Sequence, residues 1–462
     1  MIRFIDRKDE LKELSRDDKN SENAFVVLYG RRRIGKTRLL EEFFKDKNAI
    51  KYTAADTNKQ IQINEIKAIF AKHLNDEFLA KQDISDWEAF FSYLSKILNK
   101  DKRVYIWIDE FSYLIKNDKS VASVLQKFID EFLRNSKLFF VVSGSLFGLM
   151  KEEILADSSP LYGRRTRDIL LRQIPANYAR YFFNIKFQDI LQSILTIGGV
   201  SEYLMVASKH KSYIEFINNE FLKVDGYFYR EPYFLLSQEF KEIKTYFSIL
   251  NAISYGNTKP SDIANFVGLN AREIYPYLEL LISYNFVKRT ASILGDNKRG
   301  IYHIDDSFFD SWFNFVFRNR EAIERGIYKI SEQELNSFLG KRFEIFIRDN
   351  FHLFLPFPHI GKWWGTYMNK EKKSQSRDMD IIGFSDEKKE ILFAECKWKD
   401  NVDAEEIVRD LEGKSKYVPW HIEKRKESYA VFAKSFKKRI KEFEGKKVYC
   451  FDLKDIEKEL RR

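Results

Sequence analysis

A glycine loop between an apolar run and an amphipathic segment constrains this chain most strongly. The apolar residues 25–29 lead into GRRRIGKT at residues 30–37, and leucines and phenylalanines then follow at helical spacing. A strand, a glycine loop and a helix in this order present backbone N–H groups and a helix N-terminus to an anion. The pattern therefore predicts a phosphate-binding loop, with Lys36 on the β- and γ-phosphates and Thr37 on Mg²⁺.

Two further apolar runs end in polar residues that suit the same site. The first ends in Asp109-Glu110, where a P-loop ATPase needs an acid for the Mg²⁺ shell and a base for the attacking water. We assign Asp109 to the metal and Glu110 to the water. The second run ends in Ser143-Gly144-Ser145, where we expect Ser143 and Ser145 near the γ-phosphate. A plain turn is the alternative.

Arginines cluster at two places in this part of the chain. Residues 31–33 lie inside the loop, where like charges repel, and we expect them to surround a bound polyphosphate with their side chains pointing outward. Arg164 and Arg165 are expected to reach a nucleotide in cis or from a neighbouring subunit, with surface charge as the alternative. The predicted nucleotide-binding residues are Gly30, Arg31, Arg32, Arg33, Ile34, Gly35, Lys36, Thr37, Arg38, Asp109 and Arg164.

Five stretches carry a resemblance to a known family. FIDRKDELKEL, GRRRIGKT, IWIDEF, VVSGS and YGRRTRDILL occur in that order and resemble the archaeal-type ATPase family, a branch of the AAA+/STAND P-loop ATPases. The resemblance covers residues 1–235. It implies an ASCE-type fold with a parallel sheet, ATP and Mg²⁺ as ligands, Asp109 on the metal and Glu110 on the water. It also implies that residues 4–7 lie near the adenine.

The middle of the chain has the outline of a winged helix-turn-helix. Three short helical segments, the third over residues 270–284, precede a predicted hairpin with its tip at residues 295–299. DNA binding would place the third helix in the major groove and the wing on phosphate. The third helix carries Arg272 but also Glu273 and Glu279, which is a poor charge for that role. The alternative is a domain that only packs against the nucleotide domain.

Charged residues interrupt apolar strands in the C-terminal third. Asp380 lies on one predicted strand, and Glu395 and Lys397 lie two apart on the next, so the three converge if these strands pair. Asp378 is a rival ligand on the same face as Asp380, and Glu344 lies on the preceding helix. Converging carboxylates and a lysine suit metal-assisted phosphodiester hydrolysis, with Asp380 and Glu395 on Mg²⁺ and Lys397 positioning the water.

The residues around the Glu-x-Lys pair determine how strongly it indicates a nuclease site. Because 32% of the residues are charged, the pair alone means little, but charges inside an apolar strand are costly unless used or paired. The order of these elements resembles the restriction-endonuclease-like PD-(D/E)xK core, as in the domain of unknown function commonly fused to archaeal-type ATPases. Met379 replaces the usual proline. The resemblance implies a DNA endonuclease, with Glu344 on a second ion or a water. A salt bridge at a strand end is the alternative.

These patterns predict an α/β chain of four parts. We expect a P-loop ATPase core over residues 1–170, a helical lid over 171–238, a winged helix-turn-helix over 239–330 and a restriction-endonuclease-like domain over 331–462. The expected function is ATP hydrolysis that controls a Mg²⁺-dependent DNA nuclease. The alternative is a STAND-like switch that binds DNA or a protein partner without cleaving.

Composition and charge limit the remaining possibilities. Two cysteines and six histidines supply neither a disulfide framework nor a zinc cluster, and the formal net charge of +10 is compatible with a nucleic-acid partner. The N-terminus has no apolar signal segment, and no run of 18 apolar residues exists. We therefore expect a cytoplasmic protein without a membrane partner, with a homo-oligomer as a possibility.

Overall fold

The computed structural model describes residues 4–20, 23–295, 300–368 and 374–461. The chain divides into two compact units, Met1–Ile174 with Val200–Tyr203 and Pro175–Gly199 with Leu204–Arg462. The predicted ATPase core lies in the first unit. The boundaries predicted between lid, winged helix and C-terminal domain fall inside the second unit and stay predictions.

The first unit alternates strands and helices. Its elements are α1 (Lys8–Asn20), β1 (Ala24–Tyr29), α2 (Lys36–Phe44), β2 (Ala49–Thr53), α3 (Lys59–Leu74), α4 (Glu77–Lys81), α5 (Trp87–Ile97), β3 (Val104–Asp109), α6 (Ser112–Asn117), α7 (Ser120–Glu131), β4 (Leu138–Gly144), α8 (Phe147–Met150) and β5 (Arg167–Leu170). The predicted strand, loop and helix around residues 25–44 are confirmed as β1, the loop and α2.

Five parallel strands form one sheet in the order β2-β3-β4-β1-β5. The central strands β1 and β4 are almost entirely buried, which explains their continuous runs of Val, Phe and Leu. Because β4 lies between β1 and β3, its carboxyl end separates the glycine loop from the acids that close β3. The predicted parallel α/β fold is confirmed, and the sheet order brings three polar strand ends to one edge.

The second unit begins with helices and ends with a mixed sheet. Its elements are α9 (Ala176–Ala179), α10 (Phe187–Ile197), α11 (Ser201–Ala207, divided between the units), α12 (Tyr213–Glu220), α13 (Glu231–Glu239), α14 (Lys244–Ser254), α15 (Pro260–Val267), α16 (Ile274–Ser283), β6 (Val287–Thr290), β7 (Ile301–Ile304), α17 (Ser307–Phe315), α18 (Arg320–Glu324), α19 (Glu332–Asp349), β8 (His359–Met368), β9 (Ser374–Ser385), β10 (Glu390–Lys397), β11 (Val402–Asp403), α20 (Ala404–Ser415), β12 (Lys426–Ala433), β13 (Phe436–Lys438), β14 (Glu442–Phe443), β15 (Lys446–Phe451) and α21 (Leu453–Glu459). None of the helices in the described ranges has both the length and the hydropathy for crossing a bilayer.

The helices α14 to α16 precede an antiparallel hairpin of β6 and β7, in which Val287 faces Ile304. This is the element order expected for a winged helix. The third helix begins at Ile274, four residues later than predicted, because residues 271–273 form a turn instead. Of the predicted hairpin tip, residues 296–299 lie outside the described part of the chain.

Six strands form the C-terminal sheet in the order β14-β15-β12-β10-β9-β8. Strands β9 and β10 are antiparallel, as predicted for the hairpin, whereas β10 and β12 are parallel and are connected through α20. An apolar cluster that includes Phe393, Leu411 and Tyr429 joins this sheet to α20. The expected C-terminal α/β domain is therefore confirmed as a mixed sheet, with β8 at one edge.

Candidate functional site

The glycine loop between β1 and α2 has a backbone that requires its glycines. Gly30 has φ 152°, and a Cβ built on it would lie 2.5 Å from the carbonyl oxygen of Leu171. Gly35 has φ 94° and Arg33 has φ 68°. Positive φ values at three positions curl the chain tightly, so that consecutive N–H groups can turn toward one anion.

The N-terminus of α2 supplies donors to the same place. The first intrahelical hydrogen bond is donated by the N–H of Leu39 to the carbonyl oxygen of Gly35. The N–H groups of Lys36, Thr37 and Arg38 precede it and have no intrahelical acceptor. Together with the partial positive charge of the helix end, they form an anion-binding site, as the sequence predicts.

Lys36 lies within the loop. Only 5% of its side chain is exposed, and its ammonium donates to the carbonyl oxygens of Gly30 and Arg31, each at 2.9 Å. The loop thus surrounds a cation that has exchanged water for two carbonyl dipoles. An anionic phosphate is a stronger acceptor than either carbonyl, which suits the role predicted for this lysine.

Both oxygens of the Asp109 carboxylate are held in place. Thr37 Oγ1 donates to Oδ2 at 2.9 Å, and Ser143 Oγ donates to Oδ1 at 2.5 Å. The indole Nε1 of Trp107 donates to Ser143 Oγ at 3.0 Å. A buried carboxylate oriented beside a threonine hydroxyl fits the hard oxygen ligands that Mg²⁺ prefers. Sequence reasoning selected Ser143 but missed Trp107, which contacts the site only through Ser143.

Glu110 has φ 52°, the left-handed region that a non-glycine residue rarely occupies. Its Oε2 accepts hydrogen bonds from the N–H of Ser145 at 3.2 Å and from Ser145 Oγ at 2.5 Å. The N–H of Phe111 donates to the carbonyl oxygen of Ser143 at 2.7 Å. The end of β4 therefore determines both the backbone turn and the carboxylate position of Glu110. Strain of this kind is concentrated at functional sites.

Arg32 and Arg33 pair with groups outside the loop, and the direction of the Arg31 side chain stays a prediction. Arg32 donates to the hydroxyl of Tyr113 on α6, and Arg33 pairs with Glu202 at 3.0 Å. Arg38 is half exposed and pairs with two glutamates of its own helix. For Arg38, the backbone N–H is therefore the group that lies at the predicted phosphate site, whereas the guanidinium lies on the outer face of α2.

Arg164 does not join this group of residues. Its guanidinium pairs with Asp130 on α7, with the Nε to Oδ2 distance at 2.9 Å. The nearby Thr166 donates its N–H to the carbonyl oxygen of Phe25, at the amino end of β1. The glycine loop follows the carboxyl end of β1, so Arg164 lies at the opposite edge of the sheet. Contact with a nucleotide of a neighbouring subunit stays a prediction.

Two supports of the loop come from distant segments. The buried Arg7 donates to the carbonyl oxygen of Ile34 at 3.2 Å and to that of Arg172 at 2.7 Å. Ser201 Oγ donates to the same Ile34 oxygen at 3.0 Å. Residues 4–7 were predicted near the adenine, and that role stays a prediction. Ser201 and Glu202 were missed, because nothing local in the sequence links them to the loop.

A second group of polar residues lies on the C-terminal sheet. Asp380 on β9 and Glu395 on β10 lie on neighbouring antiparallel strands. The N–H of Cys396 donates to Asp380 Oδ2 at 2.9 Å, and Lys397 Nζ donates to Glu395 Oε1 at 2.6 Å. The structure thus brings together the two carboxylates and the lysine that the strand spacing predicted to converge.

The carboxylates of this group lie close enough to repel one another when ionised. Burial, followed by the nearby carboxylates of Glu344 and Glu395, raises the pKa of Asp380 to about 8. Glu395 Oε2 is buried and accepts no hydrogen bond from the part of the chain that the structure describes, with the ammonium of Lys414 3.8 Å away. An unsatisfied carboxylate oxygen beside a protonated acid fits a divalent cation that uses one or two carboxylates and keeps its waters. The described residues include no group of three or more acidic, histidine or cysteine side chains placed to hold a metal.

Glu344 is held by two cations. Its Oε1 accepts from Lys362 Nζ at 2.8 Å and from Arg348 at 3.2 Å. Lys362 also lies 3.6 Å from Asp378, so the rival ligand Asp378 pairs with a lysine and is mostly exposed. Sequence reasoning missed Lys362. The signal was present, since this lysine interrupts the aromatic run HIGKWW in the same way that Glu395 interrupts its strand.

Asp380→Asn is expected to raise the free energy of unfolding by about 2 kcal/mol at pH 7 without divalent ions. The folded protein holds a proton on Asp380 up to about pH 8, whereas an unfolded aspartate loses it near pH 3.8. Stability of the wild type therefore decreases as the pH rises from about 4 to about 8, and the asparagine removes that dependence. Urea unfolding of the two proteins at pH 4, 6 and 8 measures the difference.

The matched control for this measurement is Asp378→Asn on the same strand. Its carboxylate is mostly exposed, so we expect a change within about 0.5 kcal/mol. If Asp380→Asn gave the same stability difference at pH 4 and pH 8, the buried like-charge arrangement at Asp380 would be wrong.

Comparison with known proteins supports this geometry. Residues 4–196 match a family described as an ATPase domain predominantly from Archaea, and residues 312–407 match a family described as Archaea bacterial proteins of unknown function. The chain is 33% identical over 467 residues to the uncharacterized protein MJECL04 of Methanocaldococcus jannaschii, covering 98% of this chain and 100% of that protein. It is 40% identical over 47 residues, 10% of this chain, to 80% of the uncharacterized ATP-binding protein MJ0423 of the same organism.

A similar fold occurs among solved structures. The Walker-type ATPase PABY2304 of Pyrococcus abyssi superposes with a TM-score of 0.50 at 19% identity, covering 67% of this chain and 96% of that chain. At this identity the likeness concerns the fold alone. Sheet order, loop geometry and family match therefore agree on a P-loop ATPase, and the family that matches the C-terminal region carries no described activity.

Proposed function

Since the chain belongs to the P-loop ATPase family found predominantly in Archaea, we propose that its ATP cycle controls a Mg²⁺-dependent DNA nuclease site on the C-terminal sheet. ATP binding and hydrolysis follow from the family. The nuclease assignment goes further, and one observation carries it: Asp380, Glu395 and Lys397 converge on two paired strands, with a buried carboxylate oxygen left without a donor. Charges inside a sheet core are costly, so their retention favours a chemical use.

At the ATP site each residue has a defined task. Lys36 and the first N–H groups of α2 bind the β- and γ-phosphates, and Thr37 and Asp109 hold the metal ion. Mg²⁺, when bound, offsets the phosphate charge. Glu110 orients the attacking water and accepts its proton, and Ser145 holds the Glu110 carboxylate in position.

At the C-terminal site we assign the same two roles, holding a metal ion and positioning a water, for attack on a phosphodiester. Asp380 and Glu395 would hold a divalent cation, which would supply Lewis-acid chemistry at the scissile phosphate. Lys397, which donates to Glu395, positions the water for attack. Glu344 is proposed to orient a second water or ion, and its charge is balanced by Lys362 and Arg348.

The test is cleavage of linear, nicked and branched DNA by the purified chain with Mg²⁺ or Mn²⁺, with and without ATP. We expect cleavage that Lys397→Ala reduces by at least about a hundredfold, because a positioned acid–base group contributes that much. ATP hydrolysis by Lys397→Ala should stay within about twofold of wild type, because the substituted position lies on the C-terminal sheet and not in the unit that holds the glycine loop. ATP dependence of the cleavage would establish the coupling.

The control is Lys414→Ala, which removes a lysine near Glu395 without removing the one that donates to it. Equal cleavage by Lys397→Ala and wild type would contradict the assignment of Lys397. Absence of cleavage under every condition, with ATP hydrolysis intact, would reject the nuclease.

Two observations favour the second candidate, a switch that binds DNA or a protein without cutting. Lys397 pairs directly with Glu395, and the described residues offer no three-ligand metal group. A lysine bonded to the carboxylate can substitute for a cation, as an inactivated site would allow. ATP-dependent binding to DNA without cleavage would support this candidate.

A further inference from the structure

The chain that leaves the wing strand β6 is bound to the edge of the C-terminal sheet. The N–H of Ile293 donates to the carbonyl oxygen of Lys362 at 2.8 Å. Ser292 Oγ donates to the carbonyl oxygen of Trp364 and accepts from the N–H of Trp364, each at 2.8 Å. A Cβ on Gly361 would lie 2.9 Å from Ile293 Cβ, so the two segments pack backbone to side chain. The start of the wing is therefore docked on β8.

This docking creates a cleft of about 560 Å³ between the wing strand, the end of α19 and β8. The three elements contribute four cations to its lining: Lys288 and Arg289 from β6, Arg348 from α19 and Lys362 from β8. The acidic residue among the lining side chains is Asp349, 3.8 Å from Lys288, and half of the Lys288 side chain is exposed. The cleft is thus predominantly cationic.

A buried histidine responds to the same cations. Burial, followed by the charges of Arg348, Arg342, Lys288 and Lys362, lowers the pKa of His303 on β7 to about 3. The imidazole of His303 is therefore neutral at pH 7.

The cleft ends at the carboxylate site. Arg348 and Lys362 line the cleft and both donate to Oε1 of Glu344. Glu344 is in turn close enough to Asp380 to raise its pKa. A polyanion lying along the cations would therefore bring a phosphate group to the edge of the Asp380–Glu395 site.

We propose that this cleft binds the phosphate backbone of duplex DNA, with Lys288 of the wing strand and Arg348 and Lys362 of the C-terminal domain as its cations. The inference rests on the proposed nuclease function and adds the substrate track that it requires. It also revises the expectation for the wing, because its first strand would act beside the carboxylate site instead of as part of an independent DNA reader. Successive phosphates favour several separated cations over one compact pocket.

The test is fluorescence anisotropy of a short labelled DNA duplex titrated with the full chain in EDTA, over a series of salt concentrations. Lys288→Ala is expected to weaken binding roughly fivefold and to reduce the salt slope by about one unit. Lys288→Glu should weaken it further. Position 288 is half exposed on β6, so circular dichroism should show that both variants fold as the wild type does.

The matched control is Lys438→Ala on β13. Lys438 is 56% exposed and pairs with one acid, Glu405, much as Lys288 is 51% exposed and pairs with Asp349, but it does not line the cleft. The inference fails if Lys288→Ala and Lys438→Ala bind duplex alike, or if the wild type does not bind duplex.

The two levels of the proposal can fail separately. Lys288-dependent binding without cleavage in Mg²⁺ would support the cleft and reject the nuclease. Cleavage that is unchanged in Lys288→Glu would support the nuclease and overturn the cleft.

Discussion

Glu110→Gln is expected to bind ATP as tightly as the wild type and to hydrolyse it at least about a hundredfold more slowly. Glu110 follows Asp109, the residue proposed to hold the metal, and its carboxylate lies at the same sheet edge as Lys36 and Thr37. Glutamine keeps the shape and accepts the hydrogen bond from Ser145, but it cannot accept a proton from the attacking water. Single-turnover hydrolysis and equilibrium binding of a fluorescent ATP analogue measure the two quantities separately.

An exposed acid in the same unit provides the control. Glu41→Gln on α2 removes one negative charge from the outer face of the helix and should leave turnover within about twofold. Normal hydrolysis by Glu110→Gln would show that a group other than Glu110 orients the water. The hydrogen bonds from Ser145 to Glu110 would then have no role in hydrolysis.

Lys36→Ala is expected to reduce ATP affinity by about a hundredfold, because the ammonium makes charge-assisted hydrogen bonds to phosphate. The lysine is buried and already bonds to two carbonyl oxygens of the loop, so its amine lies where the phosphates are expected. Isothermal titration calorimetry with ATP and Mg²⁺ measures the loss.

Arg38→Ala is the matched control, since it removes a cation two residues along the same helix. The guanidinium of Arg38 pairs with Glu41 and Glu42 on the outer face, and we expect affinity within about twofold of wild type. Equal losses in the two variants would mean that general positive charge, and not the geometry of the loop, holds the nucleotide.

Local patterns were sufficient for several elements. Continuous apolar runs ending in Asp109-Glu110 and in Ser143-Gly144-Ser145 predicted buried strands, and both are confirmed as β3 and β4. The spacing of glycines predicted the loop, because few residues adopt positive φ. Element bounds were less accurate. The helix predicted over residues 270–284 begins at Ile274. The helix that carries Glu344 begins at Glu332, where a capping box between Ser331 and Glu334 satisfies the first N–H groups.

Contacts between residues far apart in the sequence were predicted where two neighbouring strands form a hairpin, and they were missed elsewhere. The β9–β10 hairpin was correctly expected, so Asp380 and Glu395 were brought together in advance. Lys362 was missed because its partner Glu344 lies on a helix, and the docking of Ser292 on β8 leaves no local pattern. Arg164 pairs with Asp130 at the edge of the sheet opposite the glycine loop, which does not favour the predicted contact in cis, and contact with a neighbouring subunit's nucleotide stays a prediction. An arginine-rich segment does not specify a strand end.

The sequence by itself determined the chemistry of this protein: the phosphate loop, the acids that end β3, and the carboxylate–lysine set of β9 and β10. These depend on turn geometry and on side-chain periodicity, which act over a few residues. Only the tertiary structure decided which strand ends meet, that Ser143 and Thr37 hold Asp109, and that the segment after β6 docks on β8. Those contacts join segments far apart in the chain. Which segments meet is decided by the burial of whole surfaces, and no short sequence pattern specifies that choice.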